Sequence, residues 1–211
     1  MAQYFEIYPD SPQPRLLKQA VALLQKGGVI ALPTDSSYAL VCQLDDKNAV
    51  ERLRRIRQVN DKHHLTLLCR DLSELANYAL VDNQQYRLMK LGTPGPYTFI
   101  LDATKEVPRR VSHPSRKTIG LRVPDRKGTQ MLLELMGAPL LATTLIPPGE
   151  ELPMNDPEAI RERFEHEIDA IVDAGACPLE PTTVIDLTPM RLGNPPVCVR
   201  EGAGPLSAIG L

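Results

Sequence analysis

Four polar clusters in this 211-residue chain carry side chains suited to holding anions. The first is Pro33-Thr34-Asp35-Ser36-Ser37-Tyr38, which follows the apolar run Val29-Ile30-Ala31-Leu32. Its short hydroxyls and free backbone amides suit a phosphate or a small amino acid. Taken alone, it also reads as a turn whose Asp and Ser bond the local backbone. The second is Arg52-Leu53-Arg54-Arg55-Ile56-Arg57, followed by Lys62, His63, His64 and Arg70, with Asp61 as the local offset. Arg54 and Arg57 stand one helical turn apart, and guanidinium groups take phosphate oxygens in pairs. The other reading is a solvated helix face. The third spans Lys105, Arg109, Arg110, Arg116, Lys117, Arg122, Arg126 and Lys127, against Glu106 and Asp125. Arg122 is distinctive there, because it sits inside the apolar strand Ile119-Gly120-Leu121-Arg122-Val123. A buried Arg without an anion is expensive, so a protein carboxylate or a ligand phosphate or carboxylate has to meet it. The fourth is Pro94-Gly95-Pro96-Tyr97-Thr98, a rigid turn that hands the chain to a strand with Thr98 near its start. It too reads as a structural turn when taken alone.

The common nucleophile and metal patterns are missing. There is no GxxxxGK[ST], no GxGxxG after a strand, no GxSxG and no HExxH. Cys42, Cys69, Cys177 and Cys198 are scattered without a CxxC, which predicts buried, reduced thiols. His63, His64, His113 and His166 do not pair with one another or with Cys at metal spacing, so no structural zinc is expected. Apolar content of 43% and charge of 24% fall in the globular range. A net charge of −2 gives no global pull toward nucleic acid. No apolar run approaches the roughly 20 residues of a membrane helix, and Met1–Glu6 lacks a leader's basic start. The expectation is a cytoplasmic protein with no membrane partner.

The clusters need elements to position them. Helical spacing of Leu16, Leu17, Ala20, Val21, Leu23 and Leu24 predicts a helix from about Pro14 to Lys26, ended by Gly27-Gly28. Val29–Leu32 reads as a buried strand, with Pro33 stopping its ladder. Extended structure resumes at Tyr38–Val41. A helix follows over about 49–56, then a strand over 65–69. Asp71-Leu72-Ser73-Glu74 has a capping-box pattern and opens a short helix. Further helices are predicted over 84–91, 129–136 and, from the Asp156 cap before Pro157, to about His166. Strands are predicted over 97–102, 118–123, 140–144, 168–172, 183–186 and 197–200. Several strands follow one another with no room for a crossover helix. The fold class expected is therefore α/β with an α+β-like mixture: an open, twisted mixed sheet with helices packed on it, in a single domain over 1–211.

Taken in order, these clusters resemble the YrdC/YciO family, and the wording is closest to its YciO branch. The family's helix, Gly-Gly turn, apolar strand and Pro-Thr-Asp-Thr-x-Tyr-Gly-Leu read here as Gly27-Gly28 through Leu40. Its Lys-x-Arg is Arg55-Ile56-Arg57, its Pro-Gly-Pro-aromatic-Thr is Pro94–Thr98, and its Arg-Val-Pro is Arg122-Val123-Pro124. Thr182-Thr183-Val184-Ile185-Asp186 matches the late Ser-Thr-Val-Asp segment, and Arg200-Glu201-Gly202 the closing Arg-x-Gly. Three positions depart from the pattern: Arg55 for Lys, Ala39 for Gly, and Ile146 for the asparagine of Ser-x-Asn-x-x-Gly, which here begins at Thr144.

The resemblance implies a sheet with a basic concave face and the making of threonylcarbamoyl-AMP. L-threonine, bicarbonate and ATP are consumed, magnesium is carried by the ATP, and pyrophosphate is released. The product serves threonylcarbamoyl modification of adenosine in tRNA. A threonine or carbamate end at Thr34, Tyr38, Arg122 and Thr182 is implied. So is a nucleotide end at Arg55, Arg57, Thr98, Thr144, Thr183 and Arg200. No protein nucleophile is required by such chemistry. The alternatives are a module of the same fold that binds double-stranded RNA, tRNA or the ribosome without turnover, and another ATP-dependent acyl or carbamoyl transfer.

Overall fold

A computed structural model describes every residue except Lys62, Ser112, Pro114 and Arg116. Its strands are β1 (Gln3–Glu6), β2 (Ile30–Pro33), β3 (Tyr38–Gln43), β4 (Thr66–Leu68), β5 (Tyr97–Asp102), β6 (Thr118–Arg122), β7 (Leu140–Thr144), β8 (Ala170–Asp173), β9 (Thr183–Asp186) and β10 (Val197–Arg200). The helices are α1 (Pro14–Gln25), α2 (Lys47–Arg57), α3 (Leu72–Tyr78), α4 (Asn83–Gly92), α5 (Lys127–Met136) and α6 (Pro157–Phe164). The ten strands form one mixed sheet in the order β1-β8-β2-β3-β7-β4-β6-β5-β9-β10. The mixed α/β class expected from the sequence is the class observed. No described helix is long and apolar enough to cross a membrane.

Asp side chains open four of the helices by accepting backbone N–H groups that have no intrahelical partner. Asp46 takes Ala49 at 3.0 Å, Asp71 takes Glu74 at 2.8 Å, and Asp156 takes Ala159 at 3.2 Å. The reciprocal capping box expected at Asp71 is only half formed, because the Glu74 carboxylate receives the N–H of Arg70 instead. A complete box stands at the next helix, between Asp82 and Gln85.

The strands bury alternate residues on opposite faces, as their two-residue period requires. From β3, Tyr38, Leu40 and Cys42 join a core with Leu53 and Ile56 of α2, Leu75 of α3, Met89 of α4 and Phe164 of α6. Ala39 and Val41 face the other way, with Leu17 and Leu24 of α1 and Leu132 and Leu133 of α5. That second layer of two helices covers the β8-β2-β3-β7 half of its face. Leu68 of β4 joins that layer, but the same face of β6, β5, β9 and β10 carries no described helix, and that uncovered part is the hollow in which the site forms.

Two local expectations change. Pro33 does not stop the ladder, for it pairs opposite Tyr38. The register with β8 covers only Ile30 and Ala31, so no neighbouring strand calls on the missing N–H of Pro33. The strand β1 carries no clear sequence signal and exists by pairing with β8, far along the chain.

Candidate anion-binding cavity

The floor of the cavity is a patch of side chains of one parity from seven strands. Ala39, Ala142, Thr144, Thr66, Leu68, Gly120, Arg122, Thr98, Ile100, Val184 and Arg200 all line it. Their register makes lateral rows. Ala142 lies opposite Thr66, which lies opposite Gly120, which lies opposite Ile100. Thr98, Val184 and Arg200 form a second row. Gly120 keeps the middle of the floor low, since a Cβ there would stand 3.1 Å from Thr66 Oγ1 and 3.3 Å from the Thr98 methyl. The cavity holds about 390 Å³, a size suited to a small ligand.

One wall is the β2–β3 turn. The Thr34 hydroxyl donates to the Ser37 carbonyl at 2.6 Å and accepts the N–H groups of Ser36 and Ser37, each at 3.2 Å. The Ser36 hydroxyl takes an N–H of Arg122 at 3.0 Å, and Arg122 also forms an ion pair with Asp35. The counter-ion demanded by Arg122 is thus a protein carboxylate. The contact is one-sided: Asp35 Oδ2 and Arg122 Nε are buried with no partner. Behind the turn, Arg126 donates to the Ala174 carbonyl at 2.6 Å and approaches Cys177 Sγ at 3.6 Å.

Two other arginines leave their charge open. Arg57, the last residue of α2, is buried and donates to the backbone carbonyl of Ile146. Arg200 donates to the Thr182 carbonyl from Nε at 3.1 Å and from Nη2 at 2.9 Å. Thr182 Oγ1 in turn lies 3.1 Å from Thr98 Oγ1. No carboxylate among the described residues pairs with Arg57 or Arg200, and burial pulls both guanidinium pKa values below the ordinary one. Arginine keeps its proton even so. Among the described residues, no Asp or Glu lines the cavity. It therefore presents cations and hydroxyls to whatever enters.

Of the residues singled out in the sequence, Thr34, Arg57, Thr98, Arg122, Thr144, Thr182 and Arg200 converge on this cavity. Three do not reach it. Tyr38 is fully buried in the core of the opposite face and donates its hydroxyl to the Gly175 carbonyl at 3.0 Å, and burial raises its pKa well above the tyrosine range. Thr183 faces away from Thr182 and clasps the C-terminal segment, donating to Gly204 O at 2.6 Å and accepting Gly202 N at 2.9 Å. Arg55 is exposed, two residues and about 200° around α2 from Arg57. Lys62 and Arg116 lie outside the described residues. Arg110 ties the carbonyl of Asp45 at 2.7 Å, and Lys105, Arg109 and Lys117 line a separate recess. Three thiols are buried as expected, whereas Cys198 is exposed on the edge strand.

The sequence reading did not assign Ser36, Ser37, His63, His64 or Thr143 to the site, although all line it. The two serines are part of the turn that it did single out. His63 belonged to the basic run, but nothing in the spacing placed it beside Arg57.

Comparison with known proteins adds to this geometry. The Sua5/YciO/YrdC family model, described as "Telomere recombination", matches residues 22–202. The chain is 56% identical over 204 residues to the uncharacterized protein YciO of Escherichia coli, across 97% of each chain. It matches a crystal structure of E. coli YciO with a TM-score of 0.93, over 99% of this chain and 100% of that one. It is 30% identical over 180 residues to the threonylcarbamoyl-AMP synthase of Halorhodospira halophila, covering 84% of this chain and 93% of that protein. P. abyssi Sua5, crystallised with L-threonine, matches with a TM-score of 0.88 and 25% identity, over 98% of this chain and 59% of that one.

Proposed function

The chain belongs to the Sua5/YciO/YrdC family, and on that premise we propose that its cavity joins a nucleoside triphosphate to a small carbamoylated amino acid as an adenylate. The substrates proposed are ATP, L-threonine and bicarbonate, and the product is threonylcarbamoyl-AMP, used to modify adenosine in tRNA in the cytoplasm. The observation that carries the reading is the pair of guanidiniums, Arg57 and Arg200, with no carboxylate partner among the described residues, beside a hydroxyl-rich floor.

The chemistry asks for positioning and charge neutralisation instead of a protein nucleophile. The threonine amine and bicarbonate condense to a carbamate with loss of water. A carbamate oxygen then bonds to the α-phosphorus of ATP, the bond from that phosphorus to the bridging oxygen breaks, and pyrophosphate leaves. Magnesium enters with the nucleotide as part of the substrate. Arg57, Arg200 and Thr144 are the phosphate ligands in this reading, supported by Thr98 and Thr182. The Thr34–Ser37 turn and Arg122 hold the amino-acid end. Purified protein is expected to release pyrophosphate only when ATP, L-threonine and bicarbonate are all present. Absence of release under conditions where a Sua5 protein turns over would sink the proposal. Release with a different amino acid in place of threonine would assign another acyl or carbamoyl transfer to the same cavity.

A second reading, binding of tRNA or double-stranded RNA without turnover, draws on the recess lined by Lys105, Arg109 and Lys117, outside the cavity. Phosphate contacts release counterions, so RNA affinity is expected to fall steeply with salt. Affinity indifferent to salt would dismiss it.

A further inference from the structure

We infer that His63 is an anion ligand of this cavity and that it takes up a proton when the anion binds. The inference rests on the cavity accepting a polyanion, not on turnover. His63 lies in the loop between α2 and β4 and lines the cavity beside Arg57. Its Nε2 stands 3.3 Å from the Thr143 hydroxyl of β7. A hydroxyl donates to a neutral imidazole nitrogen and accepts from a protonated one, so this contact accommodates either charge state.

The charged surroundings of His63 are lopsided. Arg57 and Arg54 of α2 and the neighbouring His64 all oppose a positive charge on the ring. Asp61 lines a small recess with His63, His64 and His113, and its attraction is exerted on Arg54. Lys62, the preceding residue, lies outside the described residues. Burial, followed by the repulsion of Arg57, Arg54 and His64, holds the His63 pKa below the usual histidine value. The ring is therefore neutral near pH 7 while the cavity contains no anion. A phosphate group at Arg57 brings two or more negative charges next to the same ring and reverses the sign of the field, which favours the imidazolium.

The linkage has a definite direction. The free-state pKa is depressed and the bound-state pKa is raised, so anion affinity rises as pH falls from above the bound value to below the free one. Each unit of separation between the two is a factor of ten in affinity. A cavity built this way grips the pyrophosphate end of its ligand with a third nitrogen group that is discharged again when the anion departs.

The test is calorimetric titration of inorganic pyrophosphate into the full-length protein between pH 5.5 and 7.5, in buffers of different ionisation enthalpy. Wild type is compared with His63→Gln, His64→Gln and His113→Gln. Pyrophosphate's own protonation is common to all four and cancels. Wild type is expected to gain up to roughly tenfold in affinity relative to His63→Gln on going to the lower pH, with greater proton uptake. The His113 variant should behave like wild type, whereas His64→Gln removes one of the groups opposing charge on the His63 ring and should move the window of proton uptake to higher pH. Equal proton uptake by wild type and His63→Gln overturns the inference and leaves the polyanion cavity standing. No pyrophosphate binding by wild type at any pH overturns both. An NMR titration of the His63 ring in wild type, with and without pyrophosphate, needs no variant. An upward pKa shift on binding supports the inference, and an unchanged value refutes it.

Discussion

In the cavity Arg122 meets the Asp35 carboxylate and the Ser36 hydroxyl, whereas Arg57 and Arg200 meet only backbone carbonyls and the Thr182 hydroxyl. Both arrangements orient a guanidinium, but they leave different charge. The Asp35–Arg122 pair is neutral in sum, so it contributes shape and hydrogen bonds. Carbonyl oxygens fix Arg57 and Arg200 without cancelling them, so these two attract anions. The lesson is that counting arginines overstates how basic a site is. What matters is whether the partner that orients each one also neutralises it.

The largest expected effect falls on stability. Replacing Arg122 with Met leaves Asp35 buried without a counter-ion and should cost about 3–5 kcal/mol, read from urea unfolding. Adding Asp35→Leu should restore most of that loss, because a pair exchanged for apolar side chains of similar volume is often neutral. Arg57→Met removes a desolvated, unneutralised charge and should leave stability unchanged or raised. If Arg57→Met destabilises as strongly as Arg122→Met, the contrast between the neutralised and the unneutralised arginines collapses.

Binding should show the reverse order. Each charge-assisted hydrogen bond to phosphate contributes about 1.5–3 kcal/mol, so Arg57→Met and Arg200→Met should each weaken pyrophosphate roughly 10- to 150-fold. The Asp35→Leu, Arg122→Met double variant, if folded, should change it far less. Calorimetry on the three proteins decides the matter. A double variant that loses as much as either single one would show that Arg122 reaches the phosphates.

The sequence made much of this legible, and its failures have a common cause. The bounds of β5, β7, β9 and β10 follow from apolar runs and turn residues, and the structure has them as expected. Residue types and their order brought seven side chains to one cavity. What a linear motif hides is parity. Thr183 opens β9 and its hydroxyl turns to Gly202 and Gly204, so it does not share the cavity with Thr182, although Thr143 and Thr144 of β7 both line it. Arg55 and Arg57, about 200° apart on a helix, cannot both reach the same wall. Tyr38 fails in the same way beside Ala39. Pairing partners were hidden too. Nothing in the spacing says that Asp35 rather than a ligand meets Arg122, because the two are brought together only by the sheet.

Thr34 tests a smaller part of the contrast. Its hydroxyl makes four contacts inside the turn, including one of 3.2 Å with the Ser36 hydroxyl, whereas the Ser37 hydroxyl makes none among the described residues. Thr34→Val should leave two N–H groups short of an acceptor and cost about 1–3 kcal/mol of stability. Ser37→Ala should stay within about 0.5 kcal/mol. Equal stability losses in the two variants would mean that the turn is held by something other than the Thr34 hydroxyl.

The smallest expected effect is a gain. Ile146 lines the cavity, yet only its carbonyl takes part in the site, through Arg57. A backbone carbonyl survives any substitution, so Ile146→Asn changes the wall without releasing the arginine. The new amide would supply the donor that the family's asparagine places at this position. One added hydrogen bond contributes about 0.5–1.5 kcal/mol net, which is roughly 2- to 13-fold tighter pyrophosphate or ATP binding. The comparison with Arg57→Met is what makes the result informative. If Ile146→Asn tightens binding while Arg57→Met weakens it, the anion sits between helix end and loop, against both. If Ile146→Asn weakens binding instead, the apolar side chain is part of what aims Arg57, and that guanidinium is held by packing as well as by the carbonyl.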